Sequence, residues 1–320
     1  MAKYILRRLL ISIPTLLGVT ILIYLFINLA PGDPITVMIS PEQLATAGPN
    51  YLQAARERLG LNQPIPVRYL LWLKEILRGN WGYSIQFQKP VLERVGERLG
   101  PTLRLSLSAL LIALLFGIPV GILSAVKQYS VLDYLITVLS FVGVSIPVFF
   151  FGLALIYIFS LKLGLFPPGG MQTIGKPPTL GDTVAHLVLP AVMLGVASTA
   201  SFARYTRASM LDVIRQEYLQ TARAKGLREI VVFVKHAFPN AMIPVITVIG
   251  LQLPNLFAGA VITEQVFSWP GMGRLAIEAI NYRDYPLLMG ITTIFAILVL
   301  ASNIITDLAY AAADPRIRYD

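Results

Sequence analysis

Residues able to do acid–base, nucleophilic or metal chemistry are scarce in this chain. There is no cysteine, which removes disulfides, thiolate nucleophiles and Cys-ligated metals. The only imidazoles are His186 and His236. One stands at the edge of an apolar stretch and the other in a basic loop, so a dyad between them would have to cross a membrane. No Gly-x-Ser-x-Gly elbow, His-Glu-x-x-His pair or Walker A lysine loop occurs. No catalytic residue and no metal ligand is assigned. The polar groups inside the apolar stretches are mostly neutral: Asn28, Ser140, Ser145, Gln252, Asn255 and Asn303. Each suits an interhelical hydrogen bond, worth about 0.6–2 kcal/mol. Gln252 and Asn255 lie three apart on one helix face and also suit the lining of a polar pathway. An ion-coupled carrier would need mid-membrane charges, yet Glu264 and Asp307 fall near the borders of their stretches.

The elements that position these groups follow from composition. Of 320 residues, 56 % are hydrophobic and 13 % charged, and the mean hydropathy is +0.69. A soluble domain carries about 25 % charged residues and cannot hide this much apolar surface in one core. The chain needs lipid as its solvent. Windows of about 20 residues match a hydrocarbon core of about 30 Å. They predict six spans: Leu9–Leu29, Thr102–Val126, Asp133–Leu161, Val184–Ala203, Met242–Ile262 and Pro286–Ala309. The first has the basic start of a signal peptide, but its apolar run is too long and no small-x-small site follows, so it reads as an uncleaved anchor. Prolines 14, 119, 147, 190, 244 and 254 fall inside spans, where they tend to kink helices.

Six spans place both termini on one side, and the basic residues of short loops select the cytoplasm. Residues 201–240 hold Arg204, Arg207, Arg215, Arg223, Lys225, Arg228 and Lys235 against Asp212, Glu217 and Glu229. The net charge of +9 therefore reports topology in large part, and no nucleic-acid partner is needed to explain it. The segment 31–100 lies outside. Within it, Tyr51–Leu59 and Val67–Leu77 read as amphipathic helices, followed by a sharp turn at Gly79-Asn80-Trp81-Gly82.

The 201–240 loop carries the strongest pattern. From Ser209 to about Gly226 it predicts one amphipathic helix with Leu211, Ile214, Tyr218 and Ala222 on its apolar face. Lys225 and Gly226 form the expected stop, a cation at the last turn followed by a glycine. A second short helix, about Arg228 to Ala237, precedes Pro239. Two helices joined at a glycine corner make a rigid knob, which can transmit force from a soluble partner.

In this loop Gln220-Thr221-Ala222, then Gly226, then His236-x-Phe238-Pro239 resembles the EAA loop of bacterial ABC importer permeases. That loop reads Glu-Ala-Ala, three residues, Gly, nine residues, then Ile-x-Leu-Pro. Gln220, Thr221 and His236 depart from it, while the spacing and the glycine remain. Further stretches are similar to the dipeptide/oligopeptide/nickel branch and its B-type permease subunit. They are Tyr4-Ile5-Leu6-Arg7-Arg8-Leu9, Ala30-Pro31-Gly32-Asp33-Pro34, Gly79–Ser84, Phe267–Gly273 and Asp314–Arg318.

The resemblance implies an all-α membrane protein with the six-helix type I ABC importer permease fold and a folded external segment after helix 1. It divides into an anchor (1–30), the external segment (31–100), the permease core (101–312, with a coupling loop at 204–240) and a cytoplasmic tail (313–320). It implies import of di- or oligopeptides, or alternatively nickel or another small solute, across the cell membrane. The implied partners are a C-type permease, two cytoplasmic ATPase subunits that bind the ATP and Mg, an external substrate-binding protein and the lipid bilayer. This chain itself would bind no cofactor and would be no enzyme. ATPase coupling is expected at Tyr218, Gln220, Thr221, Ala222, Arg223, Lys225, Gly226 and Arg228. The substrate pathway is expected at Gln252, Asn255 and Asn303. Phe267, Trp269, Pro270, Gly271 and Gly273 would form an external gate or docking surface.

Overall fold

The structure, a computed structural model, describes residues 2–29, 62–177 and 179–313, with side chains for all of these but 2–5, 253, 255–259 and 309–313. The expected helix at Tyr51–Leu59, the Ala30–Pro34 motif and the Asp314–Arg318 tail lie outside the described residues. Among those described, regular structure is helical. The helices are α1 Ala2–Leu29, α2 Ile65–Leu77, α3 Val91–Val126, α4 Val131–Ser145, α5 Val148–Leu155, α6 Leu180–Ile214, α7 Glu217–Ala224, α8 Glu229–Val231, α9 Phe238–Val266, α10 Met272–Asn281 and α11 Tyr285–Ala313. A π-helical stretch, Ile156–Lys162, continues α5, and another, Val232–Ala237, joins α8 to α9.

Among the described residues five stretches are long and apolar enough to cross a membrane: Leu6–Leu29, Val91–Val126, Leu180–Ile214, Glu229–Gln252 and Tyr285–Leu308. A sixth exists if α4 and the α5 stretch count as one, and these are bent by 104°. The expected continuous span Asp133–Leu161 is therefore broken. Pro147 lacks an N–H and pushes the residue before it out of the helical region; Ile146 is extended, at φ −73° and ψ 128°. The last turn before the break keeps its bonds, Ile146 N donating to Val142 O at 3.1 Å and the Ser145 hydroxyl to Phe141 O at 2.8 Å.

The chain forms two compact units. The larger holds residues 101–273 and 301–313. Its central helices α3 and α6 approach each other backbone to backbone because the contact points carry no side chain. A Cβ built on Gly117 would meet Thr199 O at 2.9 Å, one on Gly121 would meet Ala203 O at 2.5 Å, and one on Gly195 would meet Ala109 O at 2.9 Å. Gly117 and Gly121 form a small-xxx-small seam, the arrangement that drives helix association in lipid through close packing. Gly250 performs the same service for α9 against Thr306 of α11. One end of α4 is tied to α6 by charge. Arg207 Nε and Nη2 donate to Asp133 Oδ1 and Oδ2 at 2.7 and 2.8 Å, Tyr129 N donates to Oδ2 at 3.0 Å, and the Ser124 hydroxyl donates to the same carboxylate. Every lone pair of this buried acid is engaged, as burial of a charge demands.

The smaller unit holds residues 2–29, 62–100 and 274–300. Helix α2 lies on α1 through an aromatic group, Tyr24, Tyr69 and Trp72, with ring centroids 5.5–6.0 Å apart, and Tyr69 OH is 3.0 Å from Thr20 Oγ1. The expected turn follows α2, with Gly79 and Gly82 both in the left-handed region at φ 85° and 77°. Arg78 and Asn80 donate to the Glu75 carboxylate at 3.1 and 2.9 Å, which holds it below the usual carboxylate range, the Asn80 bond contributing most. Beyond the turn, buried Ser84 donates to Asp284 Oδ2, and Gln86 N reaches the same oxygen at 3.1 Å. Asp284 in turn caps α11 by accepting from Leu287 N at 3.2 Å.

Two predictions follow from these contacts. Gly121→Leu should lower stability in detergent by about 2 kcal/mol or more through overpacking, whereas Gly18→Leu, where a Cβ meets nothing within 4 Å, should leave the melting temperature nearly unchanged. Asp133→Ala should cost about 3 kcal/mol, because it strands a desolvated guanidinium; thermal unfolding of the purified protein measures both.

Candidate coupling loop and translocation pathway

Helix α6 does not run on through the loop. It ends at Ile214, with Arg215 as its C-cap, and α7 restarts at Glu217 after the extended residue Gln216, at φ −74° and ψ 142°. The single helix expected from Ser209 to Gly226 is thus two, and the break resets the helical phase. Leu219 (1 % exposed) and Ala222 are the buried residues of α7, while Tyr218 is exposed. The expected apolar face through Tyr218 is corrected to one through Leu219. Leu219 and Ala222 pack with Met210 of α6, Val232 and Ala237 of the π-helical stretch, and Ala241 of α9. One apolar seam thereby fastens the short helix to two long ones.

The glycine corner forms as the pattern predicts. Gly226 sits at φ 76°; its N–H donates to Arg223 O at 2.9 Å, and Leu227 N donates to Ala222 O at 3.4 Å. These are the two bonds of a Schellman cap, which needs a left-handed residue after the helix. Arg223 Nε and Glu229 Oε1 span the corner at 2.8 Å, both well exposed, so the pair contributes at most about 1 kcal/mol. The second expected helix, Arg228–Ala237, does not stop before Pro239. It runs through the π-helical stretch directly into α9, where Pro239 occupies the first turn. The outward face of the loop carries Tyr218, Gln220, Thr221, Arg223, Lys225, Gly226, Leu227, Arg228 and Ile230, apolar patches set among cations. Ala222 alone of the expected coupling residues points inward.

Of the pathway candidates, Gln252 is half-buried and Asn303 is exposed. The side chain of Asn255 lies outside those described. Helices α9 and α11, which carry these residues, cross in contact at Gly250 and Thr306. The exposure of Asn303 is a placement that interhelical hydrogen bonding within this chain does not explain.

Phe267–Gly273 is placed differently from a projecting surface. Phe267, Trp269, Gly271 and Gly273 are buried and Pro270 is half-buried. Trp269 Nε1 donates to Pro101 O at 3.0 Å. Thr102 Oγ1 donates to Glu264 Oε1 at 2.6 Å and accepts from Met272 N at 2.7 Å. Gly271 is needed because a Cβ there would stand 2.0 Å from Glu264 Oε1. Gly170 N donates to Phe267 O at 2.7 Å, joining the 163–177 loop to this corner. That loop is itself pinned by Asp182, which accepts from Thr173 N and Oγ1 at 2.7 and 2.6 Å, and by His186, whose Nδ1 is 2.9 Å from Gly169 O. His186 is thus occupied in holding a loop. Sequence reasoning missed Leu219, Thr102, Asp182 and Asp284, whose partners are mostly too distant along the chain to be read from local pattern.

Apolar helices packed glycine to carbonyl, with one short amphipathic helix held at a Schellman corner on their connecting loop, define a multi-span transport permease. The chain belongs to the family of binding-protein-dependent transport system inner membrane components: that family's model matches residues 117–319, and the model of its N-terminal region matches residues 1–108. It is 46 % identical over 320 residues to the oligopeptide transport system permease protein AppB of Bacillus subtilis, covering all of both chains. It is 40 % identical over 337 residues to the dipeptide transport system permease protein DppB of Alkalihalophilus pseudofirmus, again covering all of both. Among solved structures, the inward-facing MetNI methionine ABC transporter matches with a TM-score of 0.57 at 17 % identity, over 70 % of this chain and 97 % of that one. The fold is that of a type I ABC importer permease.

Leu219→Ala should loosen α7 by about 2–5 kcal/mol and speed tryptic cleavage at Arg223, Lys225 and Arg228 several-fold. Tyr218→Ala should leave the cleavage rate unchanged. The reverse order would restore the apolar face drawn through Tyr218.

Proposed function

We propose that this chain is the transmembrane subunit of an ATP-driven importer that, paired with a second permease, forms the pathway for di- or oligopeptides delivered by an external binding protein. The observation that carries this reading is the full-length similarity to permeases whose names specify oligopeptide and dipeptide transport. The glutathione transport permease GsiC, 40 % identical over 319 residues, is a third peptide-related relative. Both termini and the α6–α9 loop face the cytoplasm, and the segment before α3 faces outward. Two ATPase subunits bind ATP and Mg and hydrolyse the nucleotide; this chain holds no cofactor and receives the stroke.

Reception of the stroke is assigned to α7 and its corner. A force applied to the exposed face of Tyr218, Gln220, Thr221, Arg223, Lys225 and Arg228 passes through Leu219 and Ala222 into α6 and α9 together. Because these helices are gripped by one seam, displacement of α7 becomes rotation of the spans and is not absorbed by a loop. Helices α9 and α11 then present Gln252, Asn255 and Asn303 to the pathway. The Phe267–Gly273 corner acts as a gate hinge, held on the inside by Glu264 and Thr102.

The test is purification of the tagged chain from its native membrane with identification of co-purifying proteins and an ATPase assay. Recovery of a second permease and two ATPase chains is expected, with ATP hydrolysis stimulated by the loaded binding protein. Gly226→Pro cannot adopt φ 76° and should reduce that stimulation at least tenfold while membrane insertion is retained. Transport by the chain alone in ATP-free liposomes under an ion gradient would refute the importer reading. Gln252→Ala combined with Asn303→Ala should change the transport rate without loosening the ATPase chains.

A further inference from the structure

In the smaller unit Arg98 is a half-buried cation that makes no ion pair among the described residues. Around the N-terminal turns of α3 stand four cations, Lys89, Arg94, Arg98 and Arg274, and three carboxylates, Glu93, Glu97 and Glu278. Lys89 Nζ donates to Glu93 and Glu97 at 2.8 and 3.0 Å, and Arg94 Nη1 donates to Glu97 at 2.7 Å. Arg274 Nε donates to Glu278 at 3.2 Å. These contacts use all three acids. Arg98 has no hydrogen-bonded or ion-paired carboxylate among the described residues. Its Nε, like that of Arg94, is buried without a hydrogen-bond acceptor.

The surroundings do little to offset the charge of Arg98. Arg98 is half-buried and lies within electrostatic reach of Arg94 and Arg274, two like charges, as well as of Glu97 and Glu278. Arg94 is held beside it, its guanidinium stacked 4.0 Å from the Phe87 ring centre and its Nη1 bonded to Glu97. A partly desolvated guanidinium among like charges is unfavourable until an anion completes it. The planar fork is suited to a carboxylate, which it binds in two parallel hydrogen bonds. Arg98 stands one turn before the apolar run that begins near Thr102, where α3 enters the bilayer.

We propose that Arg98 binds a carboxylate at the outer mouth of the permease, and that this carboxylate is the C-terminus of a peptide being handed over for import. The site would favour peptides with a free C-terminus, the group that every unblocked short peptide shares whatever its side chains. The proposal deepens the importer reading and rests on it. The same chemistry is also available from an acidic side chain of the external binding protein, so the test separates the two sources.

The experiment uses the whole complex, purified with its partners and reconstituted with the binding protein, and measures ATP-driven uptake of tetra-alanine and of its C-terminal amide. Wild type should take up the acid with a KM about tenfold below that of the amide. Arg98→Gln should raise the KM of the acid about tenfold, to the value for the amide, and should not raise that of the amide further. Arg98→Lys, which keeps the charge but loses the fork, should fall between. Recovery of all subunits in both variants establishes that the complex has assembled. Equal effects on acid and amide, accompanied by weaker docking of the binding protein, would overturn the peptide as ligand and give the carboxylate to the binding protein. Equal effects with unchanged docking, or no effect, would overturn the site. Wild-type complex that takes up neither peptide with ATP would overturn the importer reading beneath it.

Discussion

The apolar seam beneath α7 is the contact on which the position of the connecting loop depends. Leu219 and Ala222 lie against residues from α6, the π-helical stretch and α9, so a helix of two turns is held by two of the long ones. Without that seam, α7 would be a short polar helix in water, and helices of this length are not stable alone. The Schellman cap at Gly226 sets where the helix ends, and the extended Gln216 sets where it begins. Between them the exposed face has one orientation relative to α6 and α9. A lever needs a rigid arm, and the seam provides it.

A second constraint comes from lipid. Polar groups inside such a chain have no water to turn to, so each buried acid is closed off by partners from its own unit. Asp133 is held by Arg207, Ser124 and Tyr129 N; Glu264 by Thr102; Asp284 by Ser84 and the backbone of Gln86 and Leu287; Asp182 by Thr173. These clusters stand near helix ends, where they also fix the loops. Their completeness distinguishes them from Arg98, which among the described residues has two guanidiniums nearby and no hydrogen-bonded carboxylate. Internal polar groups that satisfy one another hold structure, and one left unsatisfied at a mouth is available to a ligand.

Close helix packing depends on a different class of residue. Gly117, Gly121 and Gly195 let α3 and α6 meet at carbonyl distance, and Gly250 lets α9 meet α11. In the bilayer there is no hydrophobic drive between helices, so proximity itself supplies the attraction. The 104° break at Pro147 and the π-helical stretches before Lys162 and Phe238 leave these long helices segmented. Segmented helices can bend at defined points.

Much of this was legible in residue order alone. The excess of apolar residues required a bilayer, the window lengths placed the spans, and the glycine after Lys225 marked the corner, because each depends on neighbours in sequence. Spacing between Gln220, Gly226 and Pro239, with the motifs along the chain, carried the family. What the tertiary structure alone decided is which faces are inside. Periodicity continued through Arg215 and Gln216 chose Tyr218 beside Ala222, whereas the break over those two residues turns Leu219 inward with Ala222. It decided too that Trp269 and Phe267 are buried, that Ser84 meets Asp284 across 200 positions of sequence, and that Arg98 pairs with no acid among the described residues. Those outcomes depend on which distant residues share a site, and sequence pattern carries direction along a helix but not identity across the space between helices.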